Sequence, residues 1–259
     1  MPLNQRIRDW RGKRVWVLGA SSGIGEAFCE ALLERGARVA LSARSRGPLD
    51  TLATRFDASQ SLVLTADVSS QSDIESAYAR IVDEWSGLDL LVLLAGTHLP
   101  VRAWELRSED AERLFSVNVF GAFRTTACVI PDMLTRGDGA IAVVSSVAGY
   151  CGLPTSLVYG ASKAALTNFT ETLYLDLRPR GISVYLINPG FVKTPLTDRN
   201  EFEMPALISV EEAAAAMVKG FERGEFEIHF PKRFTRMMKL LRMLPYRIFF
   251  PLVHRITGL

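Results

Sequence analysis

Short apolar runs alternate with longer amphipathic segments along nearly the whole sequence. Several of the runs are apolar throughout, which is typical of strands in a sheet that helices cover on both faces. The apolar runs span residues 14–20, 38–43, 61–66, 88–95, 140–146, 183–188 and 226–230. The helical segments lie between them, at 23–36, 48–57, 72–85, 108–136, 157–178 and 210–222. This order predicts an α/β fold, a doubly wound, Rossmann-like parallel sheet of about seven strands.

Local signals refine these boundaries. Two of the predicted helices begin with the residues of a capping box, Ser72 with Glu75 and Ser209 with Glu212. No repeat, low-complexity stretch or linker divides the chain. We therefore expect residues 1–230 to form one domain and residues 231–259 to form a helical C-terminal tail.

Composition narrows the class of protein. The chain has 259 residues, of which 48% are apolar, enough for one sizeable core, and its net charge of +2 does not suggest a nucleic-acid partner. Its three cysteines lack metal-ligand or disulfide spacing, so we expect no metal site and a reducing compartment. The N-terminus has no signal-peptide pattern, and no apolar run reaches about 18 residues. The expected location is the cytoplasm.

A glycine-rich segment, VLGASSGIGEAF, joins the first predicted strand to the first helix. Its glycines, Gly19, Gly23 and Gly25, would permit a tight turn and the close approach of backbone to a pyrophosphate. The helix that follows would present unpaired N–H groups to the phosphates. The position between strand and helix favours a dinucleotide site over a simple turn.

The ends of the next two strands bear on which cofactor binds. An acidic residue often holds the ribose 2′-hydroxyl at the end of the second strand, but here Ala43 and Arg44 stand there. Because an arginine can pair with a 2′-phosphate, this pattern favours NADP(H) over NAD(H), although Arg44 could also be an ordinary surface residue. Asp67 and Val68 end the third strand and are candidate adenine contacts.

The segment YGASK places Tyr159 and Lys163 four residues apart, on one face of a predicted helix. A cation beside a phenol lowers the pKa of the phenol, so the pair could be a proton donor. The same spacing also occurs in packing pairs and solvated pairs, so the rest of the chain has to decide between these interpretations.

Seven segments together resemble the short-chain dehydrogenases/reductases over residues 12–230. They are GASSGIG, ADVS, LLAG, VNVFG, VSSVAG, YGASK and NPGFVKT, in the order and near the spacing of that family. Two departures stand out. Leu18 replaces the usual threonine before the first glycine, and Leu93-Leu94 replaces the usual Asn-Asn before Ala95-Gly96.

The resemblance implies a role for four residues. Tyr159 would donate or accept the proton, and Lys163 would lower the pKa of Tyr159 and hold the nicotinamide ribose. Ser146 would bind the substrate oxygen, and Asn118 would hold a water in a proton relay through Lys163. The implied cofactor contacts are Gly19, Ser21, Ser22, Gly23, Ile24, Gly25, Arg44, Asp67, Val68, Ala95, Gly96, Asn118, Tyr159, Lys163, Pro189, Gly190, Val192 and Thr194.

The tail differs chemically from the rest of the chain. Residues 228–259 contain seven Lys/Arg and no Asp or Glu. On a helical projection, Lys232, Arg236, Lys239 and Arg242 lie opposite an apolar arc. That arc comprises Phe234, Met237, Met238, Leu241 and Leu244. Such a segment could lie on a membrane surface, cover the substrate pocket or form a subunit interface.

We therefore expect an NADP(H)-dependent oxidoreductase that interconverts a carbonyl and a secondary alcohol on a lipophilic small molecule. The resemblance further implies a homodimer or homotetramer. A reductase of 3-oxoacyl thioesters and a non-catalytic NADP-binding sensor remain as alternatives. His98 is expected to be a loop residue, and Tyr150 and Cys151 to shape the substrate pocket. The segment 196–209, including Phe202, is expected to be either a substrate lid or a surface loop.

Overall fold

The computed structural model describes residues 2–199 and 204–258, and within these ranges seven strands form a single sheet in the order β3-β2-β1-β4-β5-β6-β7. All six strand pairings are parallel. This confirms the predicted fold class. The strands are β1 (Arg14–Leu18), β2 (Arg38–Ala43), β3 (Ser61–Thr65), β4 (Leu90–Leu93), β5 (Gly139–Val144), β6 (Ile182–Pro189) and β7 (Glu227–Phe230).

Helices connect the strands and continue after the last one. The helices are α1 (Gly23–Leu33), α2 (Arg46–Ala53), α3 (Gln71–Trp85), α4 (Ser108–Phe115), α5 (Gly121–Arg136), α6 (Leu157–Leu177), α7 (Val210–Arg223), α8 (Lys232–Arg242) and α9 (Tyr246–Thr257). Every strand and helix expected from the apolar pattern is present, with ends displaced by a few residues.

Each face of the sheet is covered by helices, which explains why the strands are apolar on both sides. Phe28 and Leu32 of α1 and Phe221 of α7 pack on one face. Ile81 of α3 and Leu173 of α6 pack on the other. These side chains are fully or almost fully buried, so two continuous apolar layers enclose the sheet.

Two local expectations are wrong. The predicted helix 108–136 is interrupted by one π-helical turn, Ser116–Phe120, which separates α4 from α5. The capping box of Ser72 and Glu75 is also wrong, because α3 begins earlier, with Ser70 accepting a hydrogen bond from the Asp73 amide. The capping box of Ser209 and Glu212 at α7 is confirmed.

Within the described residues, one helical stretch has the length and composition to cross a membrane, Ser108–Arg136. Residues along its inner side, such as Val129 and Met133, belong to the apolar core against the sheet. The stretch is therefore a core helix of this fold, interrupted by the π-helical turn.

The tail consists of two helices that differ in burial. In α8, Phe234, Thr235 and Met238 are buried against the main body of the protein. In α9 only Phe249 and Val253 are buried. The tail is helical as expected, but it is two helices separated at Pro245 rather than a single amphipathic one.

Candidate active site

Strand order places the site. The neighbours of β1 are β2 on one side and β4 on the other, so the connections leave in opposite directions at this point. In doubly wound sheets the resulting crevice, at the carboxyl ends of the strands, is where ligands bind. The segments that follow β1, β4, β5 and β6 all emerge at this edge.

The glycine-rich loop has no room for side chains. A Cβ placed on Gly25 would lie 1.9 Å from the carbonyl oxygen of Gly19, and one placed on Gly19 would lie 2.7 Å from the Ala95 nitrogen. Gly19 and Gly23 also have φ angles of +98° and +59°, which favour glycine. The loop and the start of α1 thus form a cradle of bare backbone, as a dinucleotide phosphate site requires.

The other predicted residues of this loop lie at the start of α1. Ser22 is the N-cap residue, and its side chain makes no capping hydrogen bond. Ser21 is partly buried beside it, while Ile24 packs on the apolar core. The first amides of α1 are therefore not capped by the Ser22 hydroxyl, which suits an anion at the helix N-terminus.

The segment after β6 closes over this loop. Thr194 lies against Gly23, since a Cβ placed on Gly23 would be 3.0 Å from the Thr194 Cγ2. Pro189 ends β6, and the Gly190 amide donates a 2.7 Å hydrogen bond to the Phe230 carbonyl. Val192 is buried and forms an isolated bridge with Ile208. Of the expected lid at 196–209, Phe202 lies outside the described residues.

Arg44 and Asp67 lie together at the ends of β2 and β3. The pKa of the Asp67 carboxyl is below its ordinary value, chiefly because the Ser69 hydroxyl donates to it, with a smaller effect of the positive charge of Arg44. The Arg44 side chain is exposed. Val68 is buried against Gly121, where a Cβ would lie 2.9 Å from the Val68 Cβ. Contact of Arg44, Asp67 and Val68 with the adenine end of a cofactor stays a prediction.

Ser146, Tyr159 and Lys163 come together where β5 ends and α6 begins. The Ser146 hydroxyl lies close enough to the Tyr159 phenol to lower the pKa of that phenol. The Lys163 ammonium lies 5.6 Å from the centroid of the Tyr159 ring. The spacing on α6 that the sequence indicated therefore does bring the phenol and the amine onto one face.

Lys163 is buried, with 5% of its surface exposed, and its ammonium donates a 2.9 Å hydrogen bond to the Val144 carbonyl. The Ser145 hydroxyl donates to the Lys163 carbonyl at 2.7 Å, which fixes α6 against the end of β5. Burial lowers the pKa of Lys163 to about 8, because the charged form loses its hydration.

The pKa of Tyr159 moves in the direction opposite to our expectation. Burial raises the pKa of the phenol, and the neighbouring Ser146 hydroxyl offsets part of that rise. The lowering by Lys163 that the family resemblance implies stays a prediction. In this arrangement the neutral phenol is the favoured form of Tyr159.

Asn118 lies in the π-helical turn and is buried. Its Oδ1 accepts from the Thr97 amide at 2.7 Å, and its Nδ2 donates to the Thr97 carbonyl at 3.0 Å and to the Ser162 hydroxyl at 3.1 Å. A Cβ on Gly96 would be 3.4 Å from Asn118 Oδ1 and 3.6 Å from Lys163 Nζ. Asn118 thus ties the loop after β4 to α6; its place in a water relay stays a prediction.

His98 is a residue whose position the sequence did not reveal. It is in a loop, as expected, but its ring stacks on Tyr159 with a centroid distance of 4.6 Å and an interplanar angle of 29°. The His98 imidazole therefore packs directly against the Tyr159 phenol. Only the proximity of His98 to the LLAG segment could have suggested this, because the contact spans 61 residues of sequence.

The leucines that depart from the family pattern have become part of the core. Leu18 and Leu93 are buried on one face of the sheet, and Leu94 packs against the core of the other. The Leu94 amide donates a 2.9 Å hydrogen bond to the Leu18 carbonyl. Apolar packing and backbone pairing thus hold the two strand ends together at the crevice.

Comparison with known proteins agrees with this site. Residues 13–204 match the family model described as short chain dehydrogenase. The chain is 37% identical over 235 residues to an uncharacterized oxidoreductase of Myxococcus xanthus, covering 90% of this chain and 93% of that one. These similarities span the crevice and nearly all of the sheet.

Two solved structures have the same architecture. A short-chain dehydrogenase from Sphingobium yanoikuyae in complex with NADPH superimposes with a TM-score of 0.78 and 28% identity, over 90% of this chain and 97% of that one. A short chain dehydrogenase/reductase from Burkholderia phymatum in complex with NAD gives a TM-score of 0.82 and 26% identity, over 90% and 94%. Fold and site define a dinucleotide-binding α/β protein. The chain belongs to the short-chain dehydrogenase/reductase family of oxidoreductases.

The lowered pKa of Lys163 has a measurable consequence for stability. Between about pH 8 and 10.5 the unfolded chain keeps a proton on this lysine that the folded chain has lost, so the free energy of unfolding should rise with pH. The rise is at most about 3 kcal/mol. Denaturant unfolding at pH 7 to 10 should show a flatter profile for Lys163→Met than for the parent. The exposed Lys219→Met is the control and should keep the parental slope; equal slopes for all three proteins would contradict the burial effect.

Proposed function

We propose that this protein is an NADP(H)-dependent oxidoreductase that interconverts a carbonyl compound and a secondary alcohol. One observation carries the proposal: Ser146 and Tyr159 lie side by side next to the buried Lys163, at the sheet edge that also holds the glycine cradle. Membership of the short-chain dehydrogenase/reductase family supports it.

In the direction of reduction, each residue of the site has a separate role. When bound, the reduced nicotinamide supplies the hydride. The oxygen of the substrate then carries developing negative charge, which the Ser146 hydroxyl stabilises by donating a hydrogen bond. The Tyr159 hydroxyl donates its proton to that oxygen. Lys163, with its pKa near 8, can return a proton to Tyr159 and hold the ribose, and Asn118 keeps the loop after β4 in place.

The crevice fits a nicotinamide dinucleotide. The bare backbone at Gly19, Gly23 and Gly25 would let a pyrophosphate approach closely. Ala95 borders this loop at Gly19, Thr194 borders it at Gly23, and Gly96 lies near Lys163. The Sphingobium relative binds NADPH and the Burkholderia relative binds NAD, so the relatives leave the choice open. The exposed guanidinium of Arg44 supports NADP(H), because it offers a 2′-phosphate a charge-assisted pair.

The substrate that we propose is a lipophilic small molecule. An apolar cluster forms beside Ser146, in which Val147, Phe234 and Met238 are buried. Tyr150, Cys151, Leu153, Phe191 and Leu241 pack against them. A polar or highly charged substrate would lose hydration beside this cluster without gaining hydrogen bonds. The expectation that Tyr150 and Cys151 shape the pocket fits this position.

We further propose that the protein is cytoplasmic and self-associates as a homodimer or homotetramer. Helices α5 and α6 carry large apolar side chains at the surface, including Phe123 and Leu175, of which 38% and 71% are exposed. Two long neighbouring helices with exposed leucine and phenylalanine offer a self-complementary face, which suits a symmetric dimer.

Helix α9 supports peripheral contact with a membrane surface. Its apolar arc is wider than the part that is buried, so that Tyr246, Ile248, Phe250, Leu252 and Ile256 remain exposed beside the buried Phe249 and Val253. Arg247 and Arg255 occupy the opposite arc and are exposed. A helix with this distribution binds an anionic bilayer through both its apolar and its cationic side.

The catalytic assignment predicts the effect of Tyr159→Phe. Turnover of ketones of graded chain length with NADPH should fall at least about 100-fold, because the proton donor is lost, while NADPH binding persists. Tyr174→Phe on the same helix is the control and should keep parental turnover. A Tyr159→Phe protein with a tenth or more of the parental rate would refute the assignment. A parent that binds NADPH yet turns over no carbonyl compound would favour the sensor alternative.

The cofactor assignment predicts tighter binding of NADPH than of NADH. Arg44→Ala should weaken NADPH binding by about 1.5–3 kcal/mol, or roughly 10- to 150-fold, and leave NADH binding unchanged. Both dissociation constants can be measured by titration of nicotinamide fluorescence. Arg46→Ala, two residues away and paired with Asp50 on the surface, is the matched control. Equal affinities for the two cofactors in the parent would overturn the preference.

The membrane assignment predicts sedimentation of the parent with phosphatidylserine-containing vesicles, weakened by high salt. Ile248→Glu combined with Phe250→Glu should reduce the bound fraction at least about 10-fold, because each apolar side chain contributes about 1.5–3 kcal/mol when buried. Leu3→Glu is the control and should leave sedimentation unchanged, because Leu3 is an exposed apolar residue near the opposite end of the sequence. Loss of dimers in the double variant, without any vesicle binding by the parent, would assign α9 to a subunit interface instead.

A further inference from the structure

A polar cluster beside the apolar pocket joins helix α8 to the ends of two strands, and Glu227 is at its centre. The Glu227 Oε1 accepts hydrogen bonds from the Tyr150 hydroxyl at 2.5 Å and from the Asn188 Nδ2 at 2.9 Å. Its Oε2 forms an ion pair with the ammonium of Lys239. One carboxylate thus receives donors from the loop after β5, from β6 and from α8.

The first of these donors is attached to the turn that carries Ser146. The Ser146 Oγ accepts from the Ala148 amide at 3.1 Å, and the Ser146 carbonyl accepts from the Gly149 amide at 2.9 Å. The Tyr150 amide completes the turn by donating to Val147 at 3.1 Å. An anchor on the Tyr150 hydroxyl therefore restrains a one-turn segment whose other end is Ser146.

The second donor leads to the loop over the cofactor cradle. Asn188 directly precedes Pro189 and Gly190, and is fully buried. Helix α8 packs on the same loop, because a Cβ on Gly190 would lie 2.9 Å from the Phe234 Cδ1, and Phe234 lies 5.5 Å from Phe191 between ring centroids. Glu227 and Phe234 thus hold α8 against this loop through one polar and one apolar contact.

The cluster is tightly built. The Glu227 side chain is 23% exposed and that of Lys239 is 37% exposed, and the Lys239 ammonium also lies 5.8 Å from the centroid of the Tyr150 ring. Burial favours the neutral carboxyl, but the three donors outweigh it and hold the pKa of Glu227 below its ordinary value. Removing the Lys239 ammonium would leave the poorly solvated Glu227 carboxylate without its charge partner. The Ser146 turn and the loop after β6, which are attached to this carboxylate, would then lose their common anchor.

We propose that Glu227 and Lys239 are positioning residues, which dock α8 and thereby hold the Ser146 turn and the Pro189–Gly190 loop in register. The inference rests on the proposed function for its kinetic readout only. Neither residue touches the reacting atoms; they act through Tyr150 and Asn188. The consequence is that docking of the C-terminal helix controls whether the site is assembled for turnover.

The same helix offers a matched control. Lys232, seven residues before Lys239, forms a 3.2 Å ion pair with Glu225, two residues before Glu227. The control pair joins α8 to the segment before β7 in a similar way but has no hydrogen bond to the Ser146 turn or to Asn188 among the described residues. If the two ion pairs act only by fastening α8 to the protein, removing either pair should have the same effect on turnover. If the Glu227–Lys239 pair positions the site, only its removal should lower turnover.

The kinetic test compares Lys239→Met and Glu227→Gln with Lys232→Met and Glu225→Gln. We expect kcat for carbonyl reduction to fall about 10-fold in the first two, because small displacements of reacting groups are costly, and to stay within twofold in the control pair. The dissociation constant of NADPH should stay within threefold in the control pair. Lys239→Arg, which keeps the cation, should recover most of kcat. Equal kcat in Lys239→Met and Lys232→Met would overturn the proposal.

Hydrogen exchange tests the coupling without any turnover. Measured on the full chain, the amides of Ala148, Gly149 and Tyr150 should exchange about 10-fold faster in Lys239→Met than in the parent, and at the parental rate in Lys232→Met. Faster exchange in Lys239→Met, together with a parent that turns over no carbonyl compound, would support the coupling and refute the proposed function. Unchanged exchange in Lys239→Met, together with a parent that reduces carbonyl compounds, would refute the coupling and support the proposed function. If Glu227→Gln fails to fold, Lys239→Met alone decides the outcome.

Discussion

Parallel pairing brings the carboxyl ends of all the strands in the described sheet to one edge, and the functional geometry depends on that constraint. The Val15–Leu90 and Leu91–Ile141 registers align β1, β4 and β5, so the segments after them leave the sheet side by side. Bare backbone at Gly19, the Gly96 loop and the Ser146 turn therefore meet at this edge. Because apolar layers seal both faces of the sheet, polar groups gather at its edges, and Ser146, Tyr159 and Lys163 meet at this one.

Burial then determines the protonation of the groups that meet there. Transfer from water disfavours whichever form is charged, so it raises the pKa of the Tyr159 phenol and lowers that of the Lys163 ammonium. Both shifts favour neutral forms. At neutral pH the phenol holds its proton, while the amine, with a pKa of about 8, stays close to its own titration. These protonation states are compatible with the roles proposed for the two residues, proton donation by Tyr159 and reprotonation by Lys163.

Sequence periodicity predicted the layers of this fold, since burial on both faces of a parallel sheet leaves a strong local pattern. It also predicted the pairing of Tyr159 with Lys163, because one helical turn fixes that distance. It could not find His98 on Tyr159 or Tyr150 on Glu227, whose contacts join segments far apart in the chain. The π-helical turn at Asn118 was missed for another reason: one extra residue in a helix barely disturbs an apolar pattern over 29 residues.

The tail shows how charge composition can mislead when partners come from elsewhere. Its lack of acidic residues implied that its cations face solvent or an anionic surface. In α8, however, Lys232 and Lys239 pair with Glu225 and Glu227, which lie just before the tail. The charge argument is therefore weakened for α8, where two of the five cations are paired. Arg233, Arg236 and Arg242 of α8, like Arg247 and Arg255 of α9, form no ion pair within the described part of the chain. Acidic residues just before the tail are thus within reach of only part of its positive charge.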